Sequence, residues 1–393
     1  MASIVRTLER AINSQLGRVG FELRRSADSR ARLTPRARFR TERTAGSDEN
    51  IVADAKRHLE HANAVQCVLP DFGGQWKPYV DHIRAEIAKI TDPVEALHFA
   101  QGTVNFDHRD DAGVSPLELY DRILAEEFPQ FATLLAEMSE NPHSVSQSLT
   151  VVGSRNVSNI FYWHARLLLS CLTHVGSCRR ITEIGTGYGA LARLWLNHPT
   201  EAPESYCLVD IPESLFFAEC ALRQEFGDRV GYFDGSDPGT PIVLVPICHL
   251  STLNRKNDIV INTGSMQEMT DEWIDFYMNW LDHADSRFFY SANYAGQPLS
   301  RLDESRTYWG PRPSAKWSTR LLNSDIPLFK LQSPRPFLEA IYEKAPASGS
   351  LKDWSANRGM FVTLSVYLEG LDLLRQSLVP EDAHTFSRPL STE

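Results

Sequence analysis

The sequence predicts an α/β protein, a Rossmann-like and mostly parallel sheet preceded by a helical N-terminal region. Three observations carry that reading. A β-branched run, Arg180 to Ile184, enters a glycine loop, Gly185-Thr186-Gly187-Tyr188-Gly189, and a leucine-rich helix leaves it. A second apolar run, Tyr206 to Val209, ends on Asp210. Before residue 150 the apolar residues recur at helical rather than strand spacing. The first two observations describe a βαβ unit, which places a ligand at the carboxyl ends of its strands.

At the N-terminus Ile4, Val5, Leu8, Ala11, Ile12, Leu16 and Val19 recur at helical spacing with arginines between them, a basic amphipathic helix. Residues 1–43 hold eleven arginines and four acids, so a net charge of −10 for the whole chain leaves −17 for the rest. Two readings of that helix stand: peripheral contact with an anionic membrane surface, or packing on its own domain or a partner subunit. Ser26 to Asp48 is polar and aperiodic and reads as a linker. The expected organisation is residues 1–45 as helix and linker, 46–150 as a helical cap or dimerisation region, and 151–393 as the catalytic domain.

Within 46–150, four stripes mark helices: Ile51 to Ala62, Ile83 to Ile90, Leu119 to Leu124 and Phe131 to Met138, broken at Asp92-Pro93 and Phe128-Pro129. Such a region covers a sheet edge, supports a homodimer, or closes over a reaction site as a lid. Arg155, Asn156 and Ser158 precede a further helix, on whose apolar face His164 reads as a hydrogen-bonded core residue. After Asp210, Pro212 takes a first helical position. Arg229–Phe233 and Ile242–Val245 both qualify as the third strand. The second is preferred, which makes Gly231–Thr240 an insertion. Asp258–Asn262 is the fourth strand, Thr270 caps the next helix, and Arg287–Ala292 is the fifth. Gly296–Asn323 reads as loop. Ile326–Leu331 and Met360–Leu368 read as a terminal hairpin, with Phe337–Tyr342 as a helix between them.

The loop Gly185-x-Gly187-x-x-Ala190 satisfies the loose dinucleotide pattern. Glu183, two residues before the first glycine, tips the choice, because Glu-x-Gly-x-Gly-x-Gly resembles the loop of class I S-adenosylmethionine methyltransferases. There a carboxylate faces a cation-bearing ligand. Three strings go further: Glu183-Ile184-Gly185-Thr186-Gly187-Tyr188-Gly189, Val209-Asp210-Ile211-Pro212-Glu213, and Asn262-Thr263-Gly264-Ser265-Met266-Gln267-Glu268-Met269. Together they resemble the bacterial sugar O-methyltransferases, over about Gly153 to Ala295. Thr186 and Ile211 depart mildly from that family's glycine and leucine.

The resemblance implies a class I methyltransferase sheet with a C-terminal antiparallel strand, S-adenosylmethionine as cofactor, and a sugar or glycan hydroxyl as acceptor in surface-glycan or glycosylated-metabolite synthesis. It implies a cofactor seat of Glu183, Gly185, Gly187, Gly189, Asp210 and Ile211, with Arg155 pairing the cofactor's carboxylate. Asn262, Gln267, Asn293 and Tyr294 are then the acceptor-side residues. A sugar hydroxyl is a poor acid, so a base is expected. Glu268 is the first candidate by its place after the fourth strand, and His249 the second, by its ordinary pKa.

Composition excludes several classes. Six cysteines without a C-x-x-C pair give neither a disulfide framework nor a zinc site, and no metal is expected. An acidic body argues against a nucleic-acid face. No apolar run is long enough to span a bilayer, and the N-terminus lacks a secretory core. The expected location is the cytoplasm, peripheral to the membrane's inner face if the first helix binds it. Two rivals stand beside the leading reading. One is a methyltransferase with an amine or another hydroxyl acceptor, although the Asn-Pro-Pro-Tyr type of tip is absent. The other is a scaffold of a glycan-assembly complex with a vestigial loop.

Overall fold

The computed structural model describes residues 47–345 except 68, 71–72, 104–116, 147, 295–296, 301–302, 309, 312, 325, 327 and 329–336. The basic helix and its linker, together with Met360–Leu368, lie outside the described residues.

The helices before the sheet are α1 (Ser47–Ala64), α2 (Gly73–Ile87), α3 (Pro93–Thr103), α4 (Leu117–Glu127) and α5 (Ala132–Glu137). A short hairpin, β1 (Thr150–Val152) with β2 (Arg155–Val157), leads into α6 (Asn159–His174). Ser158 caps α6 by accepting from the Phe161 amide at 3.0 Å. The doubly wound part follows as β3 (Arg180–Ile184), α7 (Ala190–Leu196), β4 (Ser205–Asp210), α8 (Pro212–Phe226), β5 (Val230–Tyr232), β6 (Ile242–Pro246), β7 (Lys256–Thr263), α9 (Asp271–His283) and β8 (Asp285–Tyr294). Then come a hairpin of β9 (Gln297–Ser300) with β10 (Asp303–Tyr308), and the strands β11 (Trp317–Asn323) and β12 (Phe337–Lys344).

The main sheet has the order β11-β12-β8-β7-β3-β4-β6-β5. Strands β5, β6, β4, β3, β7 and β8 pair in parallel, and β12 runs antiparallel between β8 and β11. The chain winds outward from β3 through β4 and β6, then returns to the other side of β3 with β7. The direction of winding therefore reverses between β3 and β7, and at such a reversal the loops part to leave a crevice at the strands' carboxyl ends.

Alternation along the strands divides the core between two faces. Ile181, Tyr206, Leu208, Ile259, Ile261 and Tyr290 pack with α6 and α7. Ile184, Cys207, Val209, Val245, Val260 and Phe289 pack with Trp273, Tyr277 and Leu281 of α9. Because both faces are covered, central strands read as continuous apolar runs.

The N-terminal helices form an outer layer on α8. Ile51, Ala55, Ile83 and Leu97 cluster with Phe216, Phe217 and Cys220. Ion pairs flank that contact, Arg84 to Glu213 at 2.6 Å, His58 to Glu219 at 2.9 Å and Arg223 to Asp54 at 3.0 Å.

Three expectations are corrected. Val230–Tyr232 is a strand as well as Ile242–Pro246, and it adds an edge beyond β6. Phe337–Tyr342 is strand β12, not a helix. Burial on both faces removes the period-2 pattern that would have marked it. Gly296–Asn323 is not simply loop, since it contains β9, β10 and β11.

The inserted strand β12 is pinned through Glu339, fully buried at its centre. Its carboxylate accepts from Arg166 at 2.7 Å, from Ser170 at 2.5 Å and from Tyr290 at 2.7 Å. Arg166 also reaches Glu127 at 2.7 Å, so one buried guanidinium ties α4 and β12 to α6. Truncating one member leaves a buried charge short of its partner, which costs about 3–5 kcal/mol. Glu339→Ala is therefore expected to lower the unfolding free energy by about that amount in urea titration. An unchanged midpoint would refute the pinning role.

Candidate active site

At the reversal point three tips meet: the glycine loop after β3, Asp210 at the end of β4, and the turn Met266–Glu268 after β7. Gly185, Gly187 and Gly189 all adopt positive φ, 72°, 56° and 81°, a conformation closed to most side chains. Two of them are also fixed by space. A Cβ on Gly185 would lie 2.0 Å from Ser265 Oγ, and one on Gly189 would press on Leu222 and Leu208. The first glycine thus admits the β7 exit loop against the β3 tip, and the third lets α7 settle on α8.

Asp210 ties the loop to β4. Its Oδ2 accepts from the Gly187 amide at 2.9 Å and its Oδ1 from the Ile211 amide at 2.7 Å. Burial pushes its carboxyl up to about 6; the Gly187 and Ile211 amides and Ser214 oppose that rise, and the charge of Glu213 adds to it. Ile211 contributes that amide and an apolar side chain packed on the α9-side core.

Glu183 lies beneath the loop and is buried. Its Oε2 accepts from the Tyr206 hydroxyl at 2.7 Å. Burial raises its carboxyl to about 8, against the Tyr206 bond and the Thr186 hydroxyl, with the Asp210 charge adding to the rise. Glu183, expected to face a cation-bearing ligand, is bonded to Tyr206 beneath the loop, and burial disfavours its ionised form. Tyr206 was not singled out from the sequence. Its relation to Glu183 follows from the β3–β4 register, where Ile181 opposes Tyr206 and Glu183 opposes Leu208. No local pattern encodes that register.

Glu268 sits at the end of the β7 exit turn, half-buried, and burial pushes its carboxyl up to about 7. Tyr79 of α2 lies close enough to feel its charge; burial first, then Glu268, raises the Tyr79 phenol to about 12. An N-terminal helix therefore reaches this side of the crevice. Sequence reasoning missed Tyr79 because it sits in a helix nearly two hundred residues away from its neighbour.

The remaining expected residues fall elsewhere. Asn262 is fully buried and donates to the Ile184 carbonyl at 2.9 Å and to Ser265 at 2.6 Å. Its oxygen accepts from Asn293 at 3.0 Å. The Gln267 side chain accepts from the Tyr294 amide at 2.5 Å. The Tyr294 ring packs edge-on to Phe337, with centroids 5.2 Å apart. Asn262, Gln267, Asn293 and Tyr294, expected on the acceptor side, are buried, and the bonds from Asn262, Asn293 and Gln267 link the β7 exit turn to the β3 and β8 tips.

Arg155, expected to pair with the cofactor's carboxylate, has partners within the protein. Its guanidinium donates to the carbonyls of Leu135 at 2.6 Å and Met138 at 3.1 Å and pairs with Asp121 at 2.7 Å, so it fastens α5 and α4 to the hairpin. His249 follows β6, its ring edge-on to Phe233 at 5.7 Å. Burial, then the nearby His61, lowers its pKa, which Asp234 opposes. β6 and β7 are separated in the sheet by β4 and β3, so His249 and Glu268 follow different strands. His164, as expected, bonds a carbonyl, that of Ile160, at 2.9 Å. Among the described residues no group of three or more His, Cys, Asp or Glu is arranged to hold a metal, and no helix is long and apolar enough to cross a membrane.

The Glu183 shift has a stability consequence. Its folded pKa exceeds its ordinary value of 4.5, so the unfolded chain releases the proton first and stability is lost as pH rises from about 5 through 8. Glu183→Gln can still accept from Tyr206. It is expected to flatten that decline in denaturation series run from pH 5 to 8; an unaltered slope would show that Glu183 is not the titrating group.

No protein-family model and no curated protein matches the sequence. Among solved structures, the chain is similar to magnesium protoporphyrin IX methyltransferase from Synechocystis with bound S-adenosylhomocysteine. The identity is 12% and the TM-score 0.33, covering 59% of this chain and 100% of that one. It is also similar to an S-adenosylmethionine-dependent methyltransferase from Mesorhizobium loti, at 14% identity and TM-score 0.31, over 47% and 98% of the two chains. A third is phosphoethanolamine N-methyltransferase 1 from Haemonchus contortus, at 15% identity and TM-score 0.34, over 63% and 56%.

Proposed function

We propose that the chain is an S-adenosylmethionine-dependent O-methyltransferase acting on a hydroxyl of a sugar or glycan. The observation that carries the cofactor is the pair of acids beneath the glycine loop. Asp210 already holds the Gly187 amide, and Glu183 lies within its electrostatic reach. A diphosphate would meet two carboxyl groups there, and the loop amide that would bind it is taken. A sulfonium nucleoside meets the opposite balance. A cation favours ionisation of the two acids, and each Asp210 oxygen keeps a lone pair for a ribose hydroxyl. Glycines at positive φ let the backbone approach closely.

When bound, the cofactor supplies an electrophilic methyl group. The protein's share is to align the acceptor oxygen opposite the sulfur and to remove its proton. Glu268 takes that proton, because a carboxyl poised near 7 is both ionised in part and basic enough to accept it at neutral pH. Tyr79 and the α2 helix border it and restrict water. The sugar class of acceptor rests on the resemblance of the Asn262–Met269 string. The expected workplace is the cytoplasm, with the basic N-terminal helix bringing the enzyme to lipid-linked acceptors.

Glu268→Gln is expected to reduce turnover by about 10²–10⁴-fold while the cofactor's Kd changes by less than about twofold, read by calorimetry with S-adenosylhomocysteine. Wild-type turnover should rise with pH to a plateau above about 7, since the base must be deprotonated, and the variant should lack that limb. Labelled cofactor incubated with extracted glycan precursors, then mass mapping, identifies the acceptor. Turnover persisting in the variant removes Glu268 as base, methyl groups appearing only on amines removes the O-methyl reading, and absence of cofactor heat favours a scaffold.

A further inference from the structure

The first turn of α8 holds a buried acid that the chemistry above does not use. Glu213 stands two residues past the amide that Asp210 holds, and only 1% of it reaches solvent. A helix N-terminus favours negative charge, but a carboxylate this deep also needs a partner. Two N-terminal helices supply partners. Arg84 Nε of α2 donates to Glu213 Oε1 at 2.6 Å, and Asn63 Nδ2 of α1 donates to the same oxygen at 3.3 Å. Arg84 Nη2 in turn donates to Asn63 Oδ1 at 3.0 Å, which closes a triangle across three helices.

Bonds connect this triangle to the ligand site. The Ile211 amide donates to Asp210 at 2.7 Å, and the Ile211 carbonyl accepts from the Leu215 amide at 3.1 Å. Asp210 is thereby fastened to the turn that carries Glu213, while its other oxygen holds the Gly187 amide of the glycine loop. Three residues of chain span at most about 11 Å, a separation over which partly buried charges still act on each other.

We propose that Arg84 is a positioning residue of the ligand site: by neutralising Glu213 it keeps Asp210 charged, and the charged Asp210 grips the glycine loop and a ligand hydroxyl. An unpaired second acid works against ionisation of the first. Burial raises the Asp210 carboxyl, and the Glu213 charge adds to that rise. Asp210 also has Glu183 of β3, Tyr277 of α9 and Ser214 of α8 within reach, and Glu213 has Tyr232 of β5. None of these is a cation, so none replaces Arg84. The Arg84 side chain is partly open to solvent and takes no part in the apolar contact on α8, so its charge can be removed without opening that contact.

The effect on Asp210 is independent of the proposed function; its effect on cofactor binding rests on that reading. The charge is read in the ligand-free full chain by carbon NMR of side-chain carboxyls, with Asp210→Asn identifying the signal. Its midpoint, about 6 in wild type, is expected to rise by about half a pH unit in Arg84→Gln and to return in Arg84→Lys. In the Arg84→Gln/Glu213→Gln double variant the rise should vanish, because no charge is left to neutralise. Glu213→Gln alone should lower the midpoint, which decides the matter if Arg84→Gln does not fold. The Kd for S-adenosylhomocysteine should weaken by about twofold at pH 6 in Arg84→Gln and match wild type at pH 8. A midpoint that does not move in Arg84→Gln or in Glu213→Gln overturns the proposal. So does a rise that persists in the double variant, or a Kd raised equally at pH 6 and pH 8, since loosened packing alone would give either. If the midpoints move as expected while wild type binds no S-adenosylhomocysteine, the role of Arg84 stands and the cofactor assignment falls.

Discussion

The bond from the Gly187 amide to Asp210 holds the two halves of the site together. It ties the loop that leaves β3 to the end of β4, at the place where the winding of the sheet reverses. Everything that defines the crevice is set relative to this tether. Glu183 and Tyr206 support it from below, Ser265 closes on it across Gly185, and α7 and α8 meet beside it through Gly189.

That arrangement places unusual electrostatics in a small volume. Glu183 and Asp210 both carry raised pKa values for the same leading reason, loss of solvent, with the Asp210 charge adding to the Glu183 rise and the Glu213 charge to that of Asp210. A pair of reluctant acids is a poor seat for an anion and a good one for a cation bearing hydroxyl donors. Glu268 is raised by the same cause on the opposite flank, near Tyr79 from the N-terminal layer. The acid pair and Glu268 stand apart because strand order sets them on different tips.

The N-terminal helices are part of this economy of positions. They pack on α8 through an apolar contact flanked by buried carboxylates, Glu213 and Glu219, that need Arg84, His58 and Arg223 as partners. The same layer supplies Tyr79 beside Glu268.

Local sequence determined the βαβ core, the positions of the positive-φ glycines, the acid at the end of β4 and the exit turn after β7. Each is encoded within a few residues, by period, by absence of a Cβ or by an acid at a strand end. Tertiary structure decided the rest. Phe337–Lys344 is a strand whose first six residues are buried on both faces, Glu339 among them, which erases the alternation that marks a strand. The partners of Arg155 and Asn262, namely Asp121, the Leu135 carbonyl, Ile184 and Asn293, come from other elements. Tyr79 is brought near Glu268 by helix packing. Spacing along a chain reports neighbours within one element, whereas register, strand order and burial depend on which surfaces the whole chain can remove from water at once.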